Sequence, residues 1–322
     1  MLRSELQVSV VIACHTRKRL QLLLQAIESV RAQVPQPAAI VISVDHEPIL
    51  FELLSESFPD LIVVENKFPQ GASGNRNTGV SFTNTALVAF LDDDARARPG
   101  WLQGLIAPFA DPNVVCTGGF VVPAWEARKP RWFPDEFAWV VGASHLGMPD
   151  AVASVRNVWS ENMAVRRETF LAVGGFRLDF GKVGHVSRPE DTDLCIRMGR
   201  AFPDARLLFV PSAIIDHHVG RERADVSFFL RRCYSEGRGK IELARINAGK
   251  GELRDERDYL RVAIPNGLRN YVRRATLHRQ VDDLCRAGAM VGGVGAAAVG
   301  ASISLCRHWV RGKALGREMV ET

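Results

Sequence analysis

Four short runs of apolar, largely β-branched residues punctuate the first hundred positions: Val8–Ala13, Ile40–Val44, Leu61–Glu65 and Ala86–Leu91. Runs of this length and composition read as strands buried on both faces of a sheet. Between the first two, Leu20, Leu23, Leu24, Ile27 and Val30 recur at helical spacing and predict a helix over Arg17–Arg31. Ile49–Phe58 and Arg76–Thr83 read as further helices. Strands that alternate with helices need crossover connections, which are right-handed and return each strand parallel to the last. The expected fold is therefore α/β, a Rossmann-like, mostly parallel sheet flanked by helices. Ligands on such sheets bind beyond the carboxyl ends of the strands, and that rule directs the search for chemistry.

Composition narrows the class. A chain of 322 residues, 47% hydrophobic and 24% charged, can bury a sizeable core, which excludes a disordered segment, a collagen and a small disulfide scaffold. Cysteines 14, 116, 195, 233, 285 and 306 form no C-x-x-C pair, so a zinc ribbon is not expected and free thiols suit a reducing cytoplasm. Met1–Gln7 is charged and lacks the apolar core of an export signal. The net charge of +5 is uneven: residues 219–322 carry 20 basic against 12 acidic side chains, whereas residues 1–218 carry 21 against 24. A basic last third suits an anionic partner, either phosphate-bearing or a lipid surface. No nucleic-acid recognition motif accompanies it.

Past Val122 the alternation gives way, up to Ser154, to a stretch holding Trp125, Trp132, Phe133, Phe137 and Trp139. It is read as a substrate wall or as a cover over the core. Asn157–Val165 is extended, Arg167–Val173 and Pro189–Phe202 are helical, Leu207–Val210 and Ile214–His217 are extended, and a basic helix covers Ser227–Ile246. Ala287–Cys306 then holds no charge over twenty residues, bracketed by Arg286 and Arg307, with Trp309 beyond. Its length suits a membrane span, but Gly, Ala and Ser dominate it and weaken insertion; spanning, surface-lying and buried placements all stay open. The expected organisation is a domain over residues 1–240 followed by a helical, basic and partly apolar extension over 241–322.

Several residues carry chemistry. Asp92, Asp93 and Asp94 follow the fourth strand directly, at its carboxyl end. Adjacent carboxylates repel unless a cation neutralises them, and oxygen donors suit Mg2+ or Mn2+ with positions left open for phosphate. Asp45 ends the second strand in the same way, where an acidic residue bonds a ribose hydroxyl or caps a turn. The Gly-rich segment Gly71–Gly79 opens a helix, so its N–H groups and Arg76 can face a diphosphate. Glu190-Asp191 opens a later helix. Ser187 and Glu190 fit a capping box, which leaves Asp191 available as a proton acceptor. His217-His218 closes an extended segment where an imidazole can join a metal shell.

In this order the motifs resemble family 2 glycosyltransferases of the GT-A fold. Val10-Val-Ile-Ala-Cys-His-Thr-Arg17 resembles the first strand and nucleotide-binding turn, Gly74-Asn-Arg-Asn-Thr-Gly79 the A-R-N-x-G segment, and Phe90-Leu-Asp-Asp-Asp94 the D-x-D strand end. Ser160-Glu-Asn-Met-Ala-Val-Arg-Arg167 is similar to the acceptor-side G-A-N-M-A-x-R-R segment. Glu190-Asp191 resembles the E-D motif bearing the base, and His217-His-Val-Gly-Arg-Glu-Arg223 the closing segment of bacterial and archaeal members. Together they cover about residues 8–240. Two positions depart: His15-Thr16 replace the usual aromatic and Asn, and Ser160-Glu161 replace Gly-Ala.

The resemblance implies an inverting transfer of a sugar from a nucleotide-diphosphate sugar to a hydroxyl of a saccharide or lipid-linked acceptor, in cell-surface glycan or glycolipid assembly at the cytoplasmic face of the cell membrane. It implies that Ala13, Cys14, Thr16, Arg17, Asp45, Gly74, Arg76, Asp92 and Asp93 hold the donor, and that Asp94, Asp92 and His217 hold Mn2+ or Mg2+. Asp191 is then the catalytic base, with Asn162, Glu161, Glu190 and Trp159 toward the acceptor. Peripheral membrane contact is expected from the C-terminal region. A nucleotidyltransferase shares the strand-end aspartates but carries an early G-x-G-T-R-type loop, absent from this sequence. A non-catalytic scaffold of a glycan-assembly complex would not need intact Asp92–Asp94 and Asp191.

Overall fold

The computed structural model describes residues 6–183, 186–246 and 259–318. In chain order its elements are β1 (Val8–Cys14), α1 (Leu20–Arg31), β2 (Ala39–Val44), α2 (Pro48–Ser57), β3 (Ile62–Glu65), α3 (Ala72–Ser81), β4 (Leu87–Asp92), β5 (Ala95–Ala97), α4 (Trp101–Ile106) and β6 (Val114–Trp125). Then follow β7 (Ala153–Ser154), β8 (Asn162–Arg166), α5 (Arg167–Ala172), β9 (Gly181–Val183), β10 (Val186–Arg188), α6 (Glu190–Ala201), β11 (Arg206–Val219), α7 (Val226–Ile246), α8 (Ile264–His278) and α9 (Val281–Glu318). They fall into two compact units. One holds the chain up to Ala124 with Gly142–Ser144 and Met148–His218; the other holds Trp125–Val141, His145–Gly147 and the chain from Val219 onward.

The first unit is built on one sheet of order β3-β2-β1-β4-β8-β6-β11-β5, with β7 added to β11. The first four strands of that order are parallel, as the alternation requires. From β8 onward the pairings given by register are antiparallel. Parallel register aligns Ala13 with both Ser43 and Asp92, so the carboxyl ends of β1, β2 and β4 finish in one row. Alternate residues of β1 face opposite sides, and Val10, Val11 and Ile12 are all essentially unexposed. On one side Val11, Val41 and Phe90 pack with Met163, Phe170, Phe176, Leu194 and Met198. Each such side chain contributes about 1.5–3 kcal/mol on burial. Helix α3 comes closest: a Cβ on Gly79 would collide with the side chain of Val11.

Several elements differ from the sequence expectation. The first helix begins as a 3-10 turn over Arg17–Arg19, where the Thr16 hydroxyl accepts from Lys18 N (3.3 Å). The Gly-rich segment is not a loop ahead of a helix but α3 itself, starting at Ala72. Strand β11 joins the two extended segments through Pro211. A proline is tolerated there because it falls between two pairings, with β7 at Leu208–Phe209 and with β5 at Ile215–His217. Strand β6 was masked by Gly118-Gly119 and Pro123. Helix α6 has Pro189 as its N-cap and no side-chain cap bond, in place of the expected capping box.

The second unit is helical. Its aromatic-rich segment serves as core: Phe133 and Phe137 pack on Phe229 of α7, with ring centroids 5.8 and 5.3 Å apart. Buried Glu136 accepts from the Tyr271 hydroxyl of α8 (2.9 Å), and its carbonyl accepts from Tyr259 (2.8 Å). Helix α9 contains the whole uncharged stretch and packs along α7, with Gly300 against the Tyr234 carbonyl and Gly237 against the Ala297 carbonyl. Among the described residues it is the one helix long and apolar enough to cross a membrane, with a mean hydropathy of 1.7 over its best window. The side chain of Trp309 lies outside the described residues.

Candidate active site

Helix α3 is sewn to the strand ends by one side chain. Asn75 Nδ2 donates to the carbonyls of Cys14 and Ser43 (both 3.0 Å), and its Oδ1 accepts from Ser43 Oγ (2.6 Å). This directs the next residue, Arg76, across the carboxyl end of the sheet. Buried Arg76 donates from Nη2 to Asp92 Oδ1 (2.6 Å) and from Nη1 to Glu190 Oε1 (3.3 Å). One guanidinium thus ties the end of β4 to the first turn of α6. Burial opposes the charge of Arg76, but Asp92, Glu190 and Asp191 together raise its pKa above the ordinary value.

Asp93 and Asp94 turn the other way, into buried positions. Arg19 Nη1 meets Asp93 Oδ1 at 3.0 Å and Asp94 Oδ2 at 2.8 Å. The second oxygen of Asp93 has no hydrogen-bond partner, and burial, reinforced by Asp94, raises its carboxyl pKa to about 7. Strand β11 pairs His217 with Ala95 and lets His218 N donate to the Asp94 carbonyl (2.8 Å). That register brings His217 Nε2 to 3.4 Å from Asp94 Oδ1.

Glu161 and His217 share a floor. At Gly142, with φ of +72°, a Cβ would meet His217 Cε1 at 2.9 Å and Glu161 Oε2 at 3.2 Å. Burial, then the charges of Asp92, Asp94 and Asp191, raises the Glu161 pKa to about 8, with His217 acting the other way. Burial and Asp191 raise Glu190 to about 7 against the pull of Arg76. Asp191 Oδ1 accepts from Thr192 N (2.7 Å). The turn beneath it is braced by Arg197, which binds unexposed Asp193 (2.8 Å) and donates to the carbonyls of Val173 and Gly175 (2.6 and 2.7 Å).

The structure thus gathers Arg76, Asp92, Asp93, Asp94, Glu161, Glu190, Asp191 and His217 about one strand end. Other expected residues are engaged around it. Asp45 accepts from Asn66 Nδ2 (2.6 Å) and Gly71 N (2.9 Å), clamping the approach to α3. Arg17 pairs with Glu47 (2.8 Å). Ala13 and buried Cys14 end β1, and Gly74 lies in the first turns of α3 against Phe68. Asn162 is a hub: its Oδ1 accepts from Trp101 Nε1 (2.7 Å), and its Nδ2 donates to the carbonyls of Phe120 and Ala213 (both 3.1 Å). Trp159 supplies the carbonyl that receives Asn162 N (3.1 Å). Two residues escaped the sequence reading. The signal for Arg19 was a third basic residue after β1, and that for Asn75 a polar residue inside an apolar helix–sheet contact.

The donor set suits a hard divalent cation. Asp94 Oδ1 and His217 Nε2, 3.4 Å apart, are near the separation of neighbouring ligands on one ion. Among the described residues no three His, Cys, Asp or Glu side chains are already drawn together tightly enough to hold an ion. Arg19 pairs with Asp93 and Asp94, and Arg76 with Asp92.

A parallel half-sheet ending in carboxylates, extended by antiparallel strands, is the GT-A architecture. A mannosyltransferase from Pyrobaculum calidifontis, PcManGT, solved with GDP-Man and Mn2+, superposes with a TM-score of 0.59 at 16% identity over 91% of this chain and 86% of its own. The description of Glycosyl transferase family 2 matches residues 9–173, and the chain belongs to that family. It is 31% identical over 275 residues to the glucosyl-dolichyl phosphate glucuronosyltransferase of Haloferax volcanii, covering 83% of this chain and 87% of the relative. It is 26% identical over 240 residues to the succinoglycan biosynthesis protein ExoM of Rhizobium meliloti, covering 72% and 73%. The protein is a glycosyltransferase, and the pyrophosphate-releasing alternative is set aside.

Proposed function

We propose that the protein transfers a sugar, with inversion, from a nucleoside-diphosphate donor held over the β4 end to a hydroxyl of a lipid-linked acceptor, at the cytoplasmic face of the membrane. The observation that carries this is the Arg76 bridge, which holds Asp92 and the Glu190-Asp191 turn one guanidinium apart. Donor and base are thereby kept within reach of one another, which lowers the entropic part of the barrier. Asp191 accepts the acceptor proton as that oxygen attacks the anomeric carbon from the face opposite the leaving diphosphate. Arg76 offers positive charge where negative charge grows. Ala13, Cys14, Thr16, Arg17, Asp45 and Gly74 form the nucleoside end. Glu161, Glu190 and Trp159 face the acceptor, with Asn162 anchoring the segment that carries them.

Asp94 and His217, joined by Asp92 from across the strand end, would hold Mn2+ or Mg2+, which would supply further charge for the departing diphosphate. The glucuronosyltransferase relative, named for a dolichyl phosphate substrate, supports a lipid-linked acceptor. The test is a thermal-shift panel of nucleotide sugars with and without Mn2+. A matching donor raises the melting temperature in proportion to the logarithm of its concentration over Kd, and more so with the ion. A panel in which no nucleotide sugar moves the transition refutes the donor site.

A further inference from the structure

The helical unit carries a second feature that the transfer reaction does not use. One side of α9 is packed: Asp283, Ala287, Met290 and Ser304 are buried, and Gly300 sits against α7. The other side presents Val281, Leu284, Val291, Val299 and Leu305 at 70, 55, 61, 54 and 53% exposure. At 100° per residue these five fall within an arc of about 120°, over roughly 36 Å of helix. A soluble surface rarely leaves so long an apolar stripe bare. Leu230 of α7, itself exposed, extends it beside Gly292.

Two observations select the occupant. The first is charge. Residues 259–281 contain Arg261, Arg269, Arg273, Arg274 and Arg279 and no acidic residue; Arg274 pairs with Asp283 of α9 (3.1 Å), and the exposed Arg261, Arg269, Arg273 and Arg279 carry the positive field. That field complements anionic headgroups. The second is what covers the packed side. Helix α7 packs along α9 through Gly237 at the Ala297 carbonyl and Tyr234 at Gly300, and it carries the charged pairs Arg232–Glu236 and Lys240–Glu236 (3.2 and 3.4 Å) on its own length. A helix crossing the bilayer there would carry these groups into hydrocarbon, at a cost of several kcal/mol.

We propose that α9 lies in the plane of an anionic lipid surface, its exposed stripe immersed at the headgroup boundary and the arginines around α8 on lipid phosphates, instead of crossing the bilayer. This deepens the reading of a lipid-linked acceptor. Vesicle binding is measured without turnover, so its failure and the failure of that reading are distinguishable.

The chain supplies its own probes. Cys285 and Cys306 are exposed on α9 while the other four cysteines are buried, and they lie about 32 Å apart along the helix, close to the hydrocarbon thickness. Full-length protein labelled at both with an environment-sensitive maleimide is titrated with phosphatidylglycerol–phosphatidylcholine vesicles. Both labels are expected to shift blue and to be quenched equally by a shallow nitroxide lipid, with far weaker effects on pure phosphatidylcholine. Val291→Asp with Val299→Asp is expected to weaken vesicle partition more than about tenfold at unchanged melting temperature. Arg269→Glu with Arg273→Glu is expected to abolish the preference for anionic lipid. The proposal is overturned by absence of vesicle binding, by one label sealed in the vesicle lumen, or by a blue shift that grows with protein concentration alone, which would make a second copy the partner.

Discussion

Glu190 and Asp191 are adjacent in sequence but differ in environment. Glu190 is bound to Arg76 and its pKa is raised to about 7 by burial and Asp191, whereas Asp191 is met by the amide of Thr192. Asp191→Asn keeps the shape and removes the basicity, so kcat is expected to fall by about 10²–10⁴-fold. Nucleotide affinity measured by calorimetry should stay within a factor of two or so of wild type, since binding and proton transfer draw on different groups. Equal loss of both would move the base elsewhere. Arg76→Lys tests the bridge, because an ammonium cannot meet Asp92 and Glu190 with two separate N–H groups in the guanidinium's planar fork. Turnover and melting temperature are both expected to drop, the latter by roughly 2–4 °C for each 1 kcal/mol or so lost.

At the scale of elements, the parallel half of the sheet was legible because strands buried on both faces have no polar positions to blur them. Helix α3 was legible only in part. Its face toward the sheet is Gly79 and Asn75 in place of large apolar residues, since it approaches β1 too closely for anything bigger. Close approach also makes it sensitive: Gly79→Val should destabilise by about 1–3 kcal/mol through overpacking against Val11, read as a lower urea midpoint with an unchanged slope. The antiparallel strands were harder to see. Glycines and a proline interrupt β6, and Pro211 splits β11 into two apparent segments. The carboxylates were found as strand-end residues, but their partners were not. Arg19, Asn75 and the His217 pairing with Ala95 depend on long-range register, which no local pattern encodes.

For the molecule as a whole, the carboxylate cluster makes stability depend on pH. Asp93, Glu190 and Glu161 have folded-state pKa values of about 7, 7 and 8, all above their ordinary values near 4. In that range the folded chain binds more protons than the unfolded one, so the contribution is full below about pH 4 and is lost as pH rises through 7–8. Metal-free protein should therefore melt at progressively lower temperature between about pH 5 and pH 8.5. Glu161→Gln should flatten this dependence, gaining most at the alkaline end, where wild type has to ionise a buried acid. A cation proposed at Asp94 and His217 would compete with those protons, so Mn2+ should stabilise more at pH 8 than at pH 6 and release protons as it binds. Titration calorimetry in two buffers of different ionisation enthalpy measures that release. If the metal-free melting temperature is level across the range, or Mn2+ binds with no proton exchange, the carboxylates are compensated by Arg19 and Arg76 alone and the ion has no place among them.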